Sequence, residues 1–472
     1  MNYSSLLAYI KKNYIFFISL LPVFMWFLFF GTKLIYEPYV WDDLHFFRKY
    51  TQIELLSVWI GNWDPDNIET PSYRPFAVLY YHFTYMLFGE NTFLFRIFLT
   101  ILIFLLIYFL NNFFLYLNFK KKEILIFTLL ITFSKIFTTL VSWFTISALI
   151  FCYILTLSSV FLFLKSLEKN NNFYYVLSLF FGFAAILVRE ELYILPGLIF
   201  LIYFLKFSFN KRKSLIHSLK LFPFFLLVIT HMILRKKFVP EAAHFEFINS
   251  TLKFGENPLG FGGIIKVIKS SFLPMGYLSS QYSGKLQIVY SSFWILLILL
   301  TLTIILLNTK KIKEDFLRIF IILTLVLVCS LPHIAIARSF GIFLPSVFAL
   351  LFISILINRL MSISVNYVRY KSYSLKVLSI FIIVIGIFGG IHRSSKHIES
   401  MSQFSNYIVF YDNQFIYGYK EKGFNLSIPH KRYLEKKEHL TKLNITKYEE
   451  DSKKLPSYSD YIVISDYDPL SF

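Results

Sequence analysis

Cysteine is nearly missing from this chain. Cys152 and Cys329 are the only two in 472 residues, and both fall inside apolar stretches, where a thiol packs as a small hydrophobe. A disulfide framework or a cysteine metal site is therefore not expected. Charge is scarce too, at 16% of residues, and acidic charge scarcer still, with 28 Asp and Glu against 47 Lys and Arg. With 56% hydrophobic residues and a mean hydropathy of +0.60, the chain has too little polar surface to cover a soluble globule. No internal repeat is present, nor any low-complexity tract beyond phenylalanine richness. The Gly260-Phe261-Gly262-Gly263 cluster lacks phosphate-loop spacing and reads as flexibility alone.

What the chain has instead is apolar runs close to the ~20 residues that span a hydrocarbon core. They lie at 13–32, 93–117, 123–142, 144–164, 172–188, 192–207, 216–234, 287–308, 316–334, 340–360 and 374–391. The first run follows Lys11 and Lys12 with no small-residue cleavage pattern after it, so it reads as an uncleaved span with the N-terminus inside. Alternating from there, the inside loops carry Lys120–Lys122, Lys165 and Lys169, Lys206 with Lys211–Lys213, Lys310–Lys313 and Arg359–Lys371. All are basic, as the positive-inside rule requires. The +19 formal charge is thus a topology signal, and nucleic acid is not an expected partner.

The expected fold is an all-α polytopic membrane protein of about eleven transmembrane helices. The short run from Tyr73 to Gly89 reads as a juxtamembrane helix in the first outward loop, 33–92. A second large outward loop covers 235–286 and carries Arg235-Lys236-Lys237 on the wrong side for the charge rule. The transmembrane module is 1–391. The polar tail, 392–472, has strand-like runs at Tyr407–Phe410 and Tyr461–Ile464 around a charged helical stretch, the pattern of a small α+β extramembrane domain.

Four charged elements fall on the outward side. Asp42-Asp43 lies in an acidic loop with seven Asp or Glu against four Lys or Arg between Lys33 and Arg74. Paired carboxylates there can accept a proton from an attacking hydroxyl or hold a divalent metal ion, although such a pair is more often simply solvated. Arg74, before Pro75, offers a fork for phosphate or a snorkelling anchor. Arg189-Glu190-Glu191 sits between two spans with no loop to dilute it into water, which marks it as functional by default. His333 and Arg338, at the junction of two late spans, suit a cationic pocket for a lipid phosphate.

This arrangement resembles the GT-C superfamily of polyprenyl-phosphate-sugar glycosyltransferases, which includes protein O-mannosyltransferases and lipid A aminoarabinose transferases. Asp42-Asp43 is similar to the family's acidic motif in the first outward loop. The stretch Tyr73-Arg74-Pro75-Phe76 through Leu87-Phe88-Gly89 to Arg96, then Arg189-Glu190, then Arg338 through Pro345 resemble further family elements, with Ser339 where the family has Tyr. The resemblance covers residues 10–350 and leaves the tail unmatched. It implies a multi-pass protein of a bacterial inner membrane with an outward-facing site. The donor would be a sugar on a polyprenyl phosphate or diphosphate, and the acceptor a glycan, lipid or protein. Asp42 or Asp43 would be general base or metal ligand; Arg74, Arg189, Glu190, His333 and Arg338 would bind the phosphate or sugar. No cofactor is implied beyond a divalent metal ion.

Three rivals stay open. A transporter or lipid flippase predicts charge near the bilayer midplane and discontinuous helices, whereas the spans read as nearly free of charge apart from His231 near one end. An O-antigen ligase or polymerase would rely on the long loop 235–286. A structural or assembly protein would depend on no single charged residue.

Overall fold

The computed structural model describes residues 13–34, 46–64, 72–89, 91–207, 219–239, 312–334, 342–365 and 373–398, with short pieces at 267–268, 270–272, 294–295, 298–299 and 302. Every regular element among them is helical, as it must be where apolar surroundings leave backbone N–H and C=O groups no other partner. The helices are α1 (Tyr14–Leu34), α2 (Gln52–Ser57), α3 (Pro75–Phe88), α4 (Thr92–Tyr116), α5 (Lys121–Thr132), α6 (Lys135–Ser142) and α7 (Ser147–Lys169). They continue as α8 (Asn172–Val188), α9 (Leu195–Phe207), α10 (Phe222–Phe238), α11 (Ile312–Ser330), α12 (Phe343–Val365) and α13 (Tyr373–Ile398).

Five of these, α1, α4, α7, α12 and α13, are long and apolar enough to cross a membrane, and α5 with α6 makes a sixth if the pair is one broken span. Helix α8 and the Leu317–Ser330 part of α11 are apolar but shorter. The expected run at 287–308 lies almost wholly outside the described residues. Large apolar side chains on the rim, such as Leu21, Phe24, Phe29, Phe180 and Phe388, are exposed, which suits a surface solvated by lipid. Helix α12 is the axis of the bundle, with 94% of its apolar window buried, and α13 lies at the periphery with 28%.

Polar side chains stitch the interior at a few points. Asn111 on α4 donates to Ser19 Oγ on α1 at 2.8 Å and accepts from Thr128 Oγ1 on α5 at 3.0 Å, so three helices share one amide. At one end of the bundle Lys206 Nζ donates to Tyr116 O at 2.7 Å, Arg318 Nη2 to Asn118 O at 3.3 Å, and Asn358 to Glu123 Oε1 at 2.9 Å. This basic end carries Lys120, Lys121, Lys165 and Lys169, the loops assigned inside by charge.

The run expected as one span at 123–142 is two helices bent by 57°. Ser134 makes the break: its hydroxyl donates to Ile131 O at 2.7 Å, closing α5, and accepts from Phe137 N–H at 3.2 Å, opening α6. Gly390 of α13 approaches so closely that a Cβ there would lie 2.1 Å from Phe133 O, so α13 lies directly on the break. The expectation of nearly charge-free spans is corrected here as well, because Lys135 is buried in the first turn of α6. Helix α13 runs on through 392–398, seven residues beyond the expected domain boundary, and the tail from 399 lies outside the described residues.

Candidate functional site

The end of the bundle opposite the basic loops gathers the starts of α4, α7, α9 and α12 and the ends of α8, α10, α11 and α13. Two local features aim charged side chains into it. Pro75 occupies the first position of α3, where its fixed φ suits a helix start, and leaves Arg74 just before the helix with its side chain turned inward. Helix α8 stops at Val188, Arg189 is extended, and a 3₁₀ turn over Glu190–Ile194 leads into α9. Helix α9 thus begins at Leu195, not at 192 as the apolar run suggested. Its 13 residues reach about 20 Å.

Arg74 Nε donates to Glu190 Oε2 at 2.6 Å, and both residues are buried. The Arg74 guanidinium also sits over the Trp63 ring, 4.9 Å from its centroid, and Trp63 is held in turn by stacking on Phe46 and by its backbone N–H on Ser72 O. His231 and Arg235, one turn apart on α10, face the same place. His231 Nε2 lies 3.0 Å from Tyr73 O and Nδ1 2.8 Å from the Tyr193 hydroxyl. A carbonyl can only accept, so Nε2 carries the proton and Tyr193 donates to Nδ1.

Burial alone would raise the Glu190 carboxyl, yet the neighbouring Arg74 and Arg235 guanidinium groups, with His231, outweigh it and hold the group at about 2, below its ordinary 4.5. Glu190 is therefore an anion at neutral pH. Its second oxygen, Oε1, is buried without a hydrogen-bond partner, and so are Nε and Nη2 of Arg235 beside it. Buried donors and a buried acceptor left open side by side form a polar binding surface, because leaving such atoms unmet costs about 1–3 kcal/mol each. With Arg189 and Glu191 adjacent, three guanidinium groups face two carboxylates, a net positive site. A narrow space next to it, with room for about one water, is lined by Cys152, Tyr153, Arg189, Glu191 and Pro332.

Of the residues expected to act, Arg74, Arg189 and Glu190 come together here. The 3₁₀ turn Leu331–Ile334 packs on the Glu190–Ile194 turn, which brings the His333 backbone alongside; its side chain lies outside the described residues. So do Asp42, Asp43 and Arg338, and most of loop 235–286. Among the described residues no three His, Cys, Asp or Glu side chains cluster closely enough to hold a metal ion.

The sequence reading missed the roles of His231, Arg235 and Tyr193. The signal for Arg235 was present: it breached the positive-inside pattern, and its spacing of four from His231 puts both on one helix face.

No family model and no curated relative matches the sequence. A solved structure similar to this chain is the apo form of the oligosaccharyltransferase of Archaeoglobus fulgidus. The two share 11% identity over 82% of this chain and 57% of that one, with a TM-score of 0.49. This chain therefore spans a little over half the length of that protein, and a likeness of that size transfers no activity.

Proposed function

We propose that this protein is a membrane glycosyltransferase that moves a sugar from a polyprenyl phosphate or diphosphate to an acceptor on the non-cytoplasmic face. One observation carries the reading: the buried Arg74–Glu190–Arg235 constellation, with Glu190 Oε1 and two Arg235 nitrogens open to a ligand. Cations fixed in a dry site suit a phosphate leaving group, which departs as an anion and needs positive charge more than a general acid. The terminal nitrogens of Arg74, with Arg189 and Arg235, would grip the phosphate oxygens, and His333 and Arg338 would complete that grip. Glu190 Oε1 is suited to accept a hydrogen bond from a sugar hydroxyl.

In the reaction the acceptor hydroxyl attacks the anomeric carbon. Its proton passes to Asp42 or Asp43 as the new C–O bond forms, and the C–O bond to the lipid phosphate breaks with its electron pair leaving on the phosphate. Attack opposite the leaving group inverts the anomeric centre. The outward orientation follows from the positive-inside rule, since the site and the Lys-rich loops lie at opposite ends of the bundle. A bacterial inner membrane is the expected setting.

The test compares glycolipids, surface glycans and membrane proteins of a deletion strain by mass spectrometry, complemented with wild type, Asp42→Asn, Asp43→Asn or Arg235→Gln. Loss of one sugar mass, restored by wild type and by none of a well-inserted set of variants including one Asp variant, supports the reading and identifies the acceptor. Full restoration by both Asp variants and by Arg235→Gln overturns it.

The broken α5–α6 pair with buried Lys135 favours a transporter instead, since discontinuous helices carrying charge are the mark of such proteins. Purified protein in vesicles separates the two, because a transporter moves the lipid-linked sugar across without cleaving its bond to phosphate.

A further inference from the structure

The hydrogen bonds around Arg74 and Arg235 close into a circuit. Residues three apart in a 3₁₀ turn eclipse one another, so Glu190 and Tyr193, in the turn between α8 and α9, project from the same side of it. Glu190 takes the Arg74 Nε–H at 2.6 Å, and Tyr193 meets His231 Nδ1 at 2.8 Å. His231 Nε2 then returns to Tyr73 O at 3.0 Å, the carbonyl just before Arg74. Side chains from three separate segments thus hold one another in register. The rings keep the same geometry: the His231 centroid lies 5.5 Å from those of both Tyr73 and Tyr193, and Tyr73 stacks on Phe238 of α10.

Arg235 hangs on this circuit. It lies one turn beyond His231 on α10, and its guanidinium meets the Tyr193 hydroxyl. A guanidinium has no acceptor, so Arg235 donates and the Tyr193 oxygen accepts. Nε2 of His231 gives its proton to a carbonyl, which leaves Nδ1 to accept the proton of Tyr193. Every bond in the chain therefore runs one way, from Arg235 to Tyr193, to His231 and to Tyr73 O. His231 and Arg235 are buried, so water does not compete for these links. The edge of the Arg235 guanidinium that carries Nε and Nη2 makes no bond among the described residues, and two N–H groups on one edge are what a bidentate grip on phosphate needs. An arginine that must first be ordered binds an oxyanion more weakly than one already held.

We propose that Tyr193 and His231 are positioning residues for phosphate binding: they anchor the Arg235 guanidinium at a set separation from that of Arg74, so that both arginines meet one phosphate of the lipid-linked donor. This role rests on the glycosyltransferase reading and places neither residue in contact with the donor. Tyr193 then acts on the phosphate only through Arg235, and its effect disappears when the guanidinium is gone. A tyrosine that merely supported the fold would have the same effect in either background.

The full-length protein is purified in detergent and titrated with farnesyl phosphate, with farnesol as neutral control, and apparent affinity is read from the thermal midpoint. Wild type, Tyr193→Phe, Arg235→Gln and the double variant form a cycle. Tyr193→Phe keeps the ring and removes only the hydroxyl, and is expected to weaken binding roughly tenfold. Beside Arg235→Gln the same change is expected to weaken it by less than about twofold. His231→Gln keeps an N–H for Tyr73 O but loses the acceptor at Nδ1. It cuts the chain at the next link and is expected to repeat both results, even where Tyr193→Phe fails to fold. Saturable binding in wild type that both variants leave at full affinity, or weaken equally with and without Arg235, overturns the positioning role and leaves the lipid-phosphate reading standing. No saturable binding of farnesyl phosphate beyond that of farnesol in wild type overturns both.

Discussion

Arg74 and Glu190 stand 116 residues apart in the chain, yet the Arg74 Nε–H reaches Glu190 Oε2 across 2.6 Å, tying the start of α3 to the turn between α8 and α9. The bond closes one side of the candidate site and leaves Glu190 Oε1 open on the other.

Removing either partner strands a buried charge. Glu190→Ala and Arg74→Ala are each expected to cost about 3–5 kcal/mol. The double variant should lose less than the sum, with a coupling of about 1–3 kcal/mol. Unfolding of the four proteins in detergent measures this, and strict additivity would contradict the pairing.

Acid should act through the same carboxyl. Glu190 is held at about 2 against an ordinary 4.5, so the unfolded chain binds its proton first as pH falls. Its stabilisation is complete above about pH 4.5 and drains away toward pH 2. The difference in thermal midpoint between wild type and Glu190→Gln should be flat from pH 7 to 5 and shrink steadily below that. A difference independent of pH down to 3 would show that Glu190 does not titrate low in the fold.

The two glycines on α13 and α9 should respond oppositely to a methyl group. At Gly390 a Cβ would collide with Phe133 O at 2.1 Å, and backbone cannot step aside, so Gly390→Ala should destabilise by about 1–3 kcal/mol or more. At Gly197 the nearest atom is Val328 Cγ1 at 3.6 Å, an ordinary contact, so Gly197→Ala should be neutral or stabilise by up to about 1 kcal/mol. Thermal midpoints of the two variants, measured side by side, decide the matter.

Asn111 bridges Ser19 and Thr128. Asn111→Leu keeps the branched shape, with bulkier methyl groups, and loses both bonds, at an expected total of about 1–2 kcal/mol for the bonds alone, since hydrogen bonds between membrane helices average about 0.6 kcal/mol each. A loss above about 4 kcal/mol would mean that the amide carries more than these two bonds.

How much was legible in advance varies by element. The run at 172–188 matches α8 residue for residue, and 93–117 matches α4 to within one, because apolar length is a local property that hydropathy sums directly. The charge asymmetry between loops marked the basic end for the same reason. The 123–142 run misled because its hydropathy is continuous: nothing in that stretch says that Gly390, some 250 positions later, will press on Phe133 O.

By itself the sequence determined the class of solvent, the helical character, the charge polarity of the bundle, and that Arg189 and Glu190 were costly residues in need of a reason. Those follow from transfer free energies, which each residue carries wherever it sits. Only the tertiary structure decided that Arg74 answers Glu190 and that His231 and Arg235 turn into the same site. Ion pairs and open donors depend on distances of a few ångströms between segments far apart in the chain, and those distances are set by packing, which a linear pattern does not encode.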